Sequence, residues 1–244
     1  MSSVRSFFNW MYNGFGRNVM KPIIYLLIAL GCLLQGLFIK VEHEEKYIPA
    51  VILKGSAALM FVIIGYIAYS TVNNAFNKTF FIGLLFGMMG DILLNLRHVF
   101  KKQGQKIFLL GILVFLIGHI LYLAGLIPQA RHVWIWPCIL AGILLAGGLL
   151  VYIFKTMEVK MAFKIFGVFY LGAVFIMMCI AIGIAVFIPS RRSIIYCIGA
   201  ILFTLSDVIL IFNTFSGVST FARRIANLSL YYIGQILIAV SLFY

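Results

Sequence analysis

The sequence predicts an all-α membrane protein, an eight-transmembrane-helix bundle made of two parallel four-helix repeats. Three observations carry that prediction. First, 64% of the 244 residues are apolar and 10% charged, with a mean hydropathy of +1.12, whereas soluble domains hold roughly 45–50% apolar and about 25% charged residues. Second, a bilayer-spanning helix needs about 20 mostly apolar residues. Such runs recur at residues 22–39, 48–70, 79–96, 107–127, 134–154, 165–187, 194–212 and 225–243, joined by short connections that hold nearly all the charge. Third, Gly90-Asp91-Ile92-Leu93-Leu94 is echoed by Ser206-Asp207-Val208-Ile209-Leu210, and Ile117-Gly118-His119 by Ile233-Gly234-Gln235. Asp91 to His119 and Asp207 to Gln235 are the same 28 residues apart. Four spans per half is an even number, so the repeats would be parallel, related by an axis along the membrane normal. Chance likeness between apolar segments is the alternative.

The elements follow in order. Residues 1–21 carry Phe, Trp and Tyr with Arg5, Arg17 and Lys21, which fits an interfacial segment or a flexible tail. They lack a compact apolar core with a cleavage site, so the first span is expected to insert uncleaved. Residues 22–244 read as one transmembrane domain, because no connection is long enough to fold separately. The chain's +13 charge would suggest nucleic acid in a soluble protein. Here the basic residues flank spans, as expected for loops meeting anionic headgroups, and nucleic-acid binding is not expected. Cys32, Cys138, Cys179 and Cys197 lie in apolar runs and read as packing residues rather than as disulfides or metal ligands.

Only six side chains are acidic; the four glutamates fall in connections and the two aspartates in spans. A carboxylate at mid-bilayer costs at least about 2.5–3.5 kcal/mol, so Asp91 in the third span and Asp207 in the seventh should face the bundle interior. The structural alternative is a hydrogen bond to a neighbouring helix. Lys54 stands in the second span, where it either snorkels to the interface or serves an aspartate or an anionic headgroup. His119 and Tyr122 share a face of the fourth span, and Gly118 would allow a neighbour close. In the eighth span Tyr231 reads as an interfacial belt residue, while Tyr232 and Gln235, one turn apart, are the candidates. The glycine-rich runs at 83–90 and 142–148 suit helix packing. No G-x-S-x-G elbow, H-E-x-x-H or Cys/His cluster is present, which removes the serine-hydrolase and zinc-protease motifs.

Gly90-Asp91 in the third span, Gly118-His119 with Tyr122 in the fourth, Ser206-Asp207 with Asn213 in the seventh, and Tyr231-Tyr232 with Gln235 in the eighth together resemble the lysoplasmalogenase (YhhN-like) family of membrane hydrolases. The likeness covers about residues 48 to 243. Family members often place proline after the second-span lysine, where this chain has Gly55, and a basic residue where it has Thr214. The resemblance implies hydrolysis of the vinyl ether of lysoplasmalogens to a fatty aldehyde and glycerophosphoethanolamine or glycerophosphocholine. It makes Asp91 and Asp207 the catalytic pair and Lys54, His119, Tyr122, Asn213, Tyr232 and Gln235 substrate contacts. It requires no cofactor and no metal.

Vinyl ether chemistry fits two acids: one carboxyl protonates the β-carbon, and the other stabilises the cation and accepts the proton of water. Glycosidases divide labour similarly between carboxyls about 5–9.5 Å apart. A proton-coupled transporter of a lipid or amphiphile, with the aspartates as relay, is the alternative. The partner is then a lysophospholipid substrate; a homodimer is compatible with the sequence, which does not require one. The membrane would be the endoplasmic reticulum in a eukaryote and the inner membrane in a bacterium. Threading of the spans predicts one pocket holding Lys54, Asp91, Asp207, Tyr232 and Gln235. It would open on the face of the 3-4 and 7-8 loops, with the headgroup near Arg97, Arg223 or Arg224 and with His119 and Tyr122 deeper.

Overall fold

Each apolar run of the sequence lies along a helix in the computed structural model. The structure describes residues 2–72, 74–130 and 132–244, with side chains from residue 21 onward except at 75 and 132–134. The helices are α1 (Ser2–His43), α2 (Tyr47–Thr71), α3 (Ala75–Val99), α4 (Gly104–Leu126), α5 (His132–Thr156), α6 (Met161–Phe187), α7 (Arg191–Phe215) and α8 (Phe221–Ser241). Short 3₁₀ turns, Lys101–Gln103 and Ile127–Gln129, flank α4, and no strand occurs among the described residues. The side chains of the expected interfacial segment, Arg5 and Arg17 among them, lie outside the described residues.

Several helices begin before their apolar runs. The Asn74 side chain accepts from the Asn77 amide, Ser190 and Ser193 form a reciprocal capping box, and Thr220 accepts from the Arg223 amide. Hydropathy registers where lipid begins, whereas these caps satisfy the orphan amides of the first turn and so fix where the helix begins. At the other end of α1, Lys46 N–H donates to Val41 O and Glu45 N–H to Glu42 O, with Glu45 at φ 57°. This is a Schellman ending with a glutamate at the left-handed position that glycine usually fills.

Among the described residues seven helices are long and apolar enough to cross a membrane: α1 from Lys21, and α2 to α7. This is the architecture of a multi-pass membrane protein. α8 falls short of that measure because its first turn carries Arg223 and Arg224 and its inner face is polar: Asn227, Tyr231, Tyr232, Gln235 and Ser241 are all buried. Conversely Leu26 and Leu33 of α1 and Trp136, Leu140 and Leu144 of α5 are exposed apolar side chains, a surface that suits lipid.

Phe61, Ile64, Phe80, Leu84, Tyr122, Val174, Met177, Phe203 and Ile238 form the buried centre. Two close crossings set its shape. A Cβ on Gly83 of α3 would lie 3.2 Å from Gly118 O of α4, and one on Gly199 of α7 would lie 2.9 Å from Gly234 O of α8. The missing side chains let the helix backbones meet. Gly199 and Gly234 follow Gly83 and Gly118 by 116 residues each, the interval from Asp91 to Asp207.

Candidate functional site

Asp91 stands eight residues before the end of α3 at Val99, and Asp207 eight before the end of α7 at Phe215. At 1.5 Å per residue both lie about 12 Å below the face formed by the α3–α4 and α7–α8 connections. Both line one cavity of about 110 Å³, together with Lys54, Asn95, Phe115, Tyr170, Phe203, Asn227 and Tyr231. Its walls come from α2, α3, α4, α6, α7 and α8.

The two carboxyls have different partners. Lys54 Nζ is 3.5 Å from Asp91 Oδ1, and the Tyr231 hydroxyl donates to Asp91 Oδ2 at 2.9 Å. Lys54 is only 2% exposed, so it does not snorkel. Its ammonium donates to Gln35 Oε1 at 3.4 Å and sits 4.5 Å from the Tyr231 ring centroid. Gln35 is itself fixed by donating to Leu228 O at 3.2 Å. Asp207, 4% exposed, accepts from the Tyr170 hydroxyl at 2.6 Å and has no cation within bridging distance among the described residues. Beside it Ser206 and Asn227 exchange hydrogen bonds of 2.8 to 2.9 Å that lock α7 to α8. The arrangement can therefore hold one carboxylate against an ammonium and one carboxyl that offers or keeps a proton.

Arg97, Thr214 and Arg224 lead outward into a second cavity of about 380 Å³, whose walls also include Glu42, Glu45, Tyr47, His98, Asn213 and Phe221. Arg224 clasps Glu42 through Nε, at 2.9 Å from Oε2, and through Nη2. Arg97 donates from Nε to His98 at 3.2 Å and lies over the Phe108 ring. At the rim Lys46 donates to Glu44 at 2.8 Å, and that hydrogen bond holds the Glu44 carboxyl below its usual range. Arg223 donates instead to Val218 O at 2.8 Å within the α7–α8 turn.

Of the residues singled out by sequence, the inner cavity brings together Lys54, Asp91 and Asp207. It does not include Tyr232 or Gln235. The Tyr232 hydroxyl donates to Ala57 O at 3.0 Å and rests on Gly31, joining α1, α2 and α8. Gln235 accepts from Tyr122 at 3.3 Å, facing α3 at Gly87. His119 lies behind the cavity wall, its ring 5.4 Å from Tyr170 and 4.7 Å from Phe203. Its Nδ1 meets Phe115 O at 2.8 Å, which makes Nδ1 the donor and leaves Nε2, buried and without a partner among the described residues, as acceptor. Asn213 lies in the outer cavity, where its Oδ1 accepts from the Thr220 amide at 3.0 Å and closes the α7–α8 turn.

Tyr231 corrects the expected belt residue. It lies ten residues into α8, away from the span end, and is buried against Asp91. Tyr170 and Gln35 were not anticipated, since a tyrosine or glutamine in an apolar run carries no signal alone. One signal was present for Tyr170: it follows Lys54 by the same 116 residues that separate the aspartates.

Among the described residues no three His, Cys, Asp or Glu side chains are grouped to hold a metal ion. A model of the YhhN family matches residues 49–242. No curated protein and no solved structure matches the chain.

Proposed function

The chain belongs to the YhhN family, the lysoplasmalogenase family, and from this premise we propose that it hydrolyses the vinyl ether of lysoplasmalogens with Asp91 and Asp207. The observation that carries the reading is the unequal pairing of two buried aspartates in one cavity: Asp91 faces an ammonium, Asp207 only a phenol. Asp207 is then the general acid and Asp91 the carboxylate.

Asp207 gives its proton to the β-carbon of the vinyl ether, leaving an oxocarbenium ion. Water adds to the α-carbon while Asp91 takes its proton, forming the hemiacetal. In the collapse Asp207 removes the hemiacetal hydroxyl proton, the bond to the glycerol oxygen breaks, and Asp91 protonates that oxygen. Aldehyde and alcohol leave, and each carboxyl is back in its starting state. Lys54 keeps Asp91 charged before the cycle and steadies it through each proton gain and loss. Acid and base assistance of this kind is typically worth about 10²–10⁴-fold.

Cavity size supports a single-chain substrate. At about 110 Å³ the inner cavity is far below the roughly 300–1,000 Å³ of ordinary ligand sites, so a diacyl-type plasmalogen with a bulky sn-2 chain is expected to react poorly. Against transport, the cavity at the opposite end, lined by Phe76, Arg192 and Tyr196, shares no wall residue with this one. Ring contacts running from Phe203 through His119, Tyr122 and Phe80 to Tyr196 separate them.

The reading includes α8 as an eighth span and two parallel repeats. The shared 116-residue offset of Lys54–Asp91 with Tyr170–Asp207, and of Gly83–Gly118 with Gly199–Gly234, supports it. The test is purified protein given a lysoplasmalogen and its saturated alkyl-ether counterpart. Aldehyde should appear from the first alone, and its absence from both rejects the assignment.

A further inference from the structure

The charges along the two cavities run in a fixed order. Innermost are the aspartates, next Arg97 and Arg224, which line both cavities, and outermost Glu42 and Glu45, which line only the mouth. A lysoplasmalogen carries its groups in a matching order: vinyl ether, glycerol, phosphate, amine. With the vinyl ether at the aspartates, the phosphate falls at the arginines and the amine at the glutamates.

The pairing within the mouth leaves the complement of a zwitterion. Arg224 and Glu42 hold each other, and Glu44 is taken by Lys46. Among the described residues Arg97 has no carboxylate within bridging distance, and Glu45 has no cation. One cation is thus free on the inner side and one carboxylate on the outer. Glu45 also keeps its place in a left-handed conformation, φ 57°, which a residue with a side chain adopts at a cost and glycine does not.

The aromatic side chains decide which amine fits. Quaternary ammonium groups are recognised by open aromatic faces. In the mouth Tyr47 is stacked on His98 at 5.2 Å and has the Lys101 ammonium over it at 6.0 Å, and Phe221 is stacked on His43 at 4.0 Å. A primary ammonium donates three hydrogen bonds to carboxylates, and a trimethylammonium donates none.

We propose that the mouth is a zwitterion site that selects a phosphate-linked primary ammonium over a quaternary one, so that the ethanolamine class of lysolipid is preferred to the choline class. The proposal rests on the vinyl ether reading for the direction in which the lipid enters.

Binding separates the two ideas because it needs no turnover. The purified full chain in detergent is titrated calorimetrically with unreactive 1-O-alkyl lysophosphoethanolamine, its N-methyl and N,N-dimethyl derivatives, and the choline lipid. The ethanolamine lipid should bind about tenfold more tightly than the choline lipid, the scale of one hydrogen bond to a charged group, with Kd rising at each added methyl. Glu42→Gln, which removes a carboxylate already held by Arg224, should leave that ratio unchanged. Glu45→Gly should shrink the ratio while raising the thermal midpoint, because it removes the free carboxylate and the backbone strain together; a merely structural Glu45 would change the midpoint alone. Equal Kd values for the two headgroups overturn the proposal, as does an unchanged ratio in Glu45→Gly. A retained ratio with no aldehyde from natural substrates upholds the headgroup site and rejects only the hydrolase reading.

Discussion

The Asp91 and Asp207 sites are spaced alike along the two halves of the chain and are paired differently: Asp91 meets Lys54 and Tyr231, Asp207 only Tyr170 among the described residues. Each aspartate is eight residues from its helix end, and each meets a residue 37 positions earlier, Lys54 for Asp91 and Tyr170 for Asp207. An ammonium in one half stands where a phenol stands in the other. Two equal carboxyls buried in one cavity would repel when both are ionised and would lack a base when both are protonated. A lysine beside one carboxyl and a tyrosine beside the other breaks that tie.

Removing either carboxyl tests the pair most severely. Asp91→Asn and Asp207→Asn are each expected to lower aldehyde release by about 10²–10⁴-fold, measured per folded protein after detergent extraction. Near wild-type turnover in either variant ends the two-carboxylate assignment.

Stability should separate the two sites next. Asp91→Asn or Lys54→Met leaves an unpaired buried charge and is expected to cost about 3–5 kcal/mol, whereas the double variant, which buries no charge, should regain most of it. Asp207→Asn replaces a carboxyl that faces no cation and should change stability by no more than about 1 kcal/mol. Thermal or denaturant midpoints read all four variants. Equal losses for Asp91→Asn and Asp207→Asn would mean that the halves are electrostatically alike.

A smaller effect probes the close helix crossing of α7 with α8. At Gly199 an added methyl meets the Gly234 backbone at 2.9 Å, and at Gly55 it meets only Ile92 at 3.4 Å. Gly199→Ala is therefore expected to cost about 1–3 kcal/mol. Gly55→Ala should be neutral or stabilising by about 0.5–1 kcal/mol through helix propensity. Similar midpoints for both would show that α7 and α8 do not depend on backbone contact.

Which parts of this were legible in the sequence follows from what each signal measures. Burial of a charged residue in an apolar run is visible in one dimension, so Asp91, Asp207 and Lys54 were found. Helix phase at a span end is not visible, and Tyr231 and Tyr232 are adjacent residues about 100° apart around α8; it is Tyr231 that lines the inner cavity, while Tyr232 faces α1 and α2. His119 and Gln235 stood out because polar groups are rare in spans, yet neither lines the inner cavity: His119 bonds back to Phe115 O of its own helix, and Gln235 joins α8 to α4 by accepting from Tyr122. The mouth was the least legible part. Glu42 and Glu45 looked like ordinary loop charge, and only the folding of α1 against α8 brings Glu42 to Arg224, 182 residues away.

The finest test asks how much each tyrosine holds its aspartate. Asp91 has two supports, Lys54 and Tyr231, so Tyr231→Phe leaves the ammonium in place. Tyr170 is the one hydrogen-bond partner of Asp207 among the described residues. Tyr170→Phe should therefore free the general acid to rotate and expose it to whatever water enters, while Tyr231→Phe should only loosen the base. A hydrogen bond of this kind contributes about 1 kcal/mol, which predicts roughly a five- to tenfold fall in kcat for Tyr170→Phe and about twofold for Tyr231→Phe. Both variants keep the ring and its packing against Phe203 or His119, so KM should move little in either. A larger loss at Tyr231 than at Tyr170 would reverse the assignment, making Asp91 the carboxyl that depends on a phenol and Asp207 the one that stands without it.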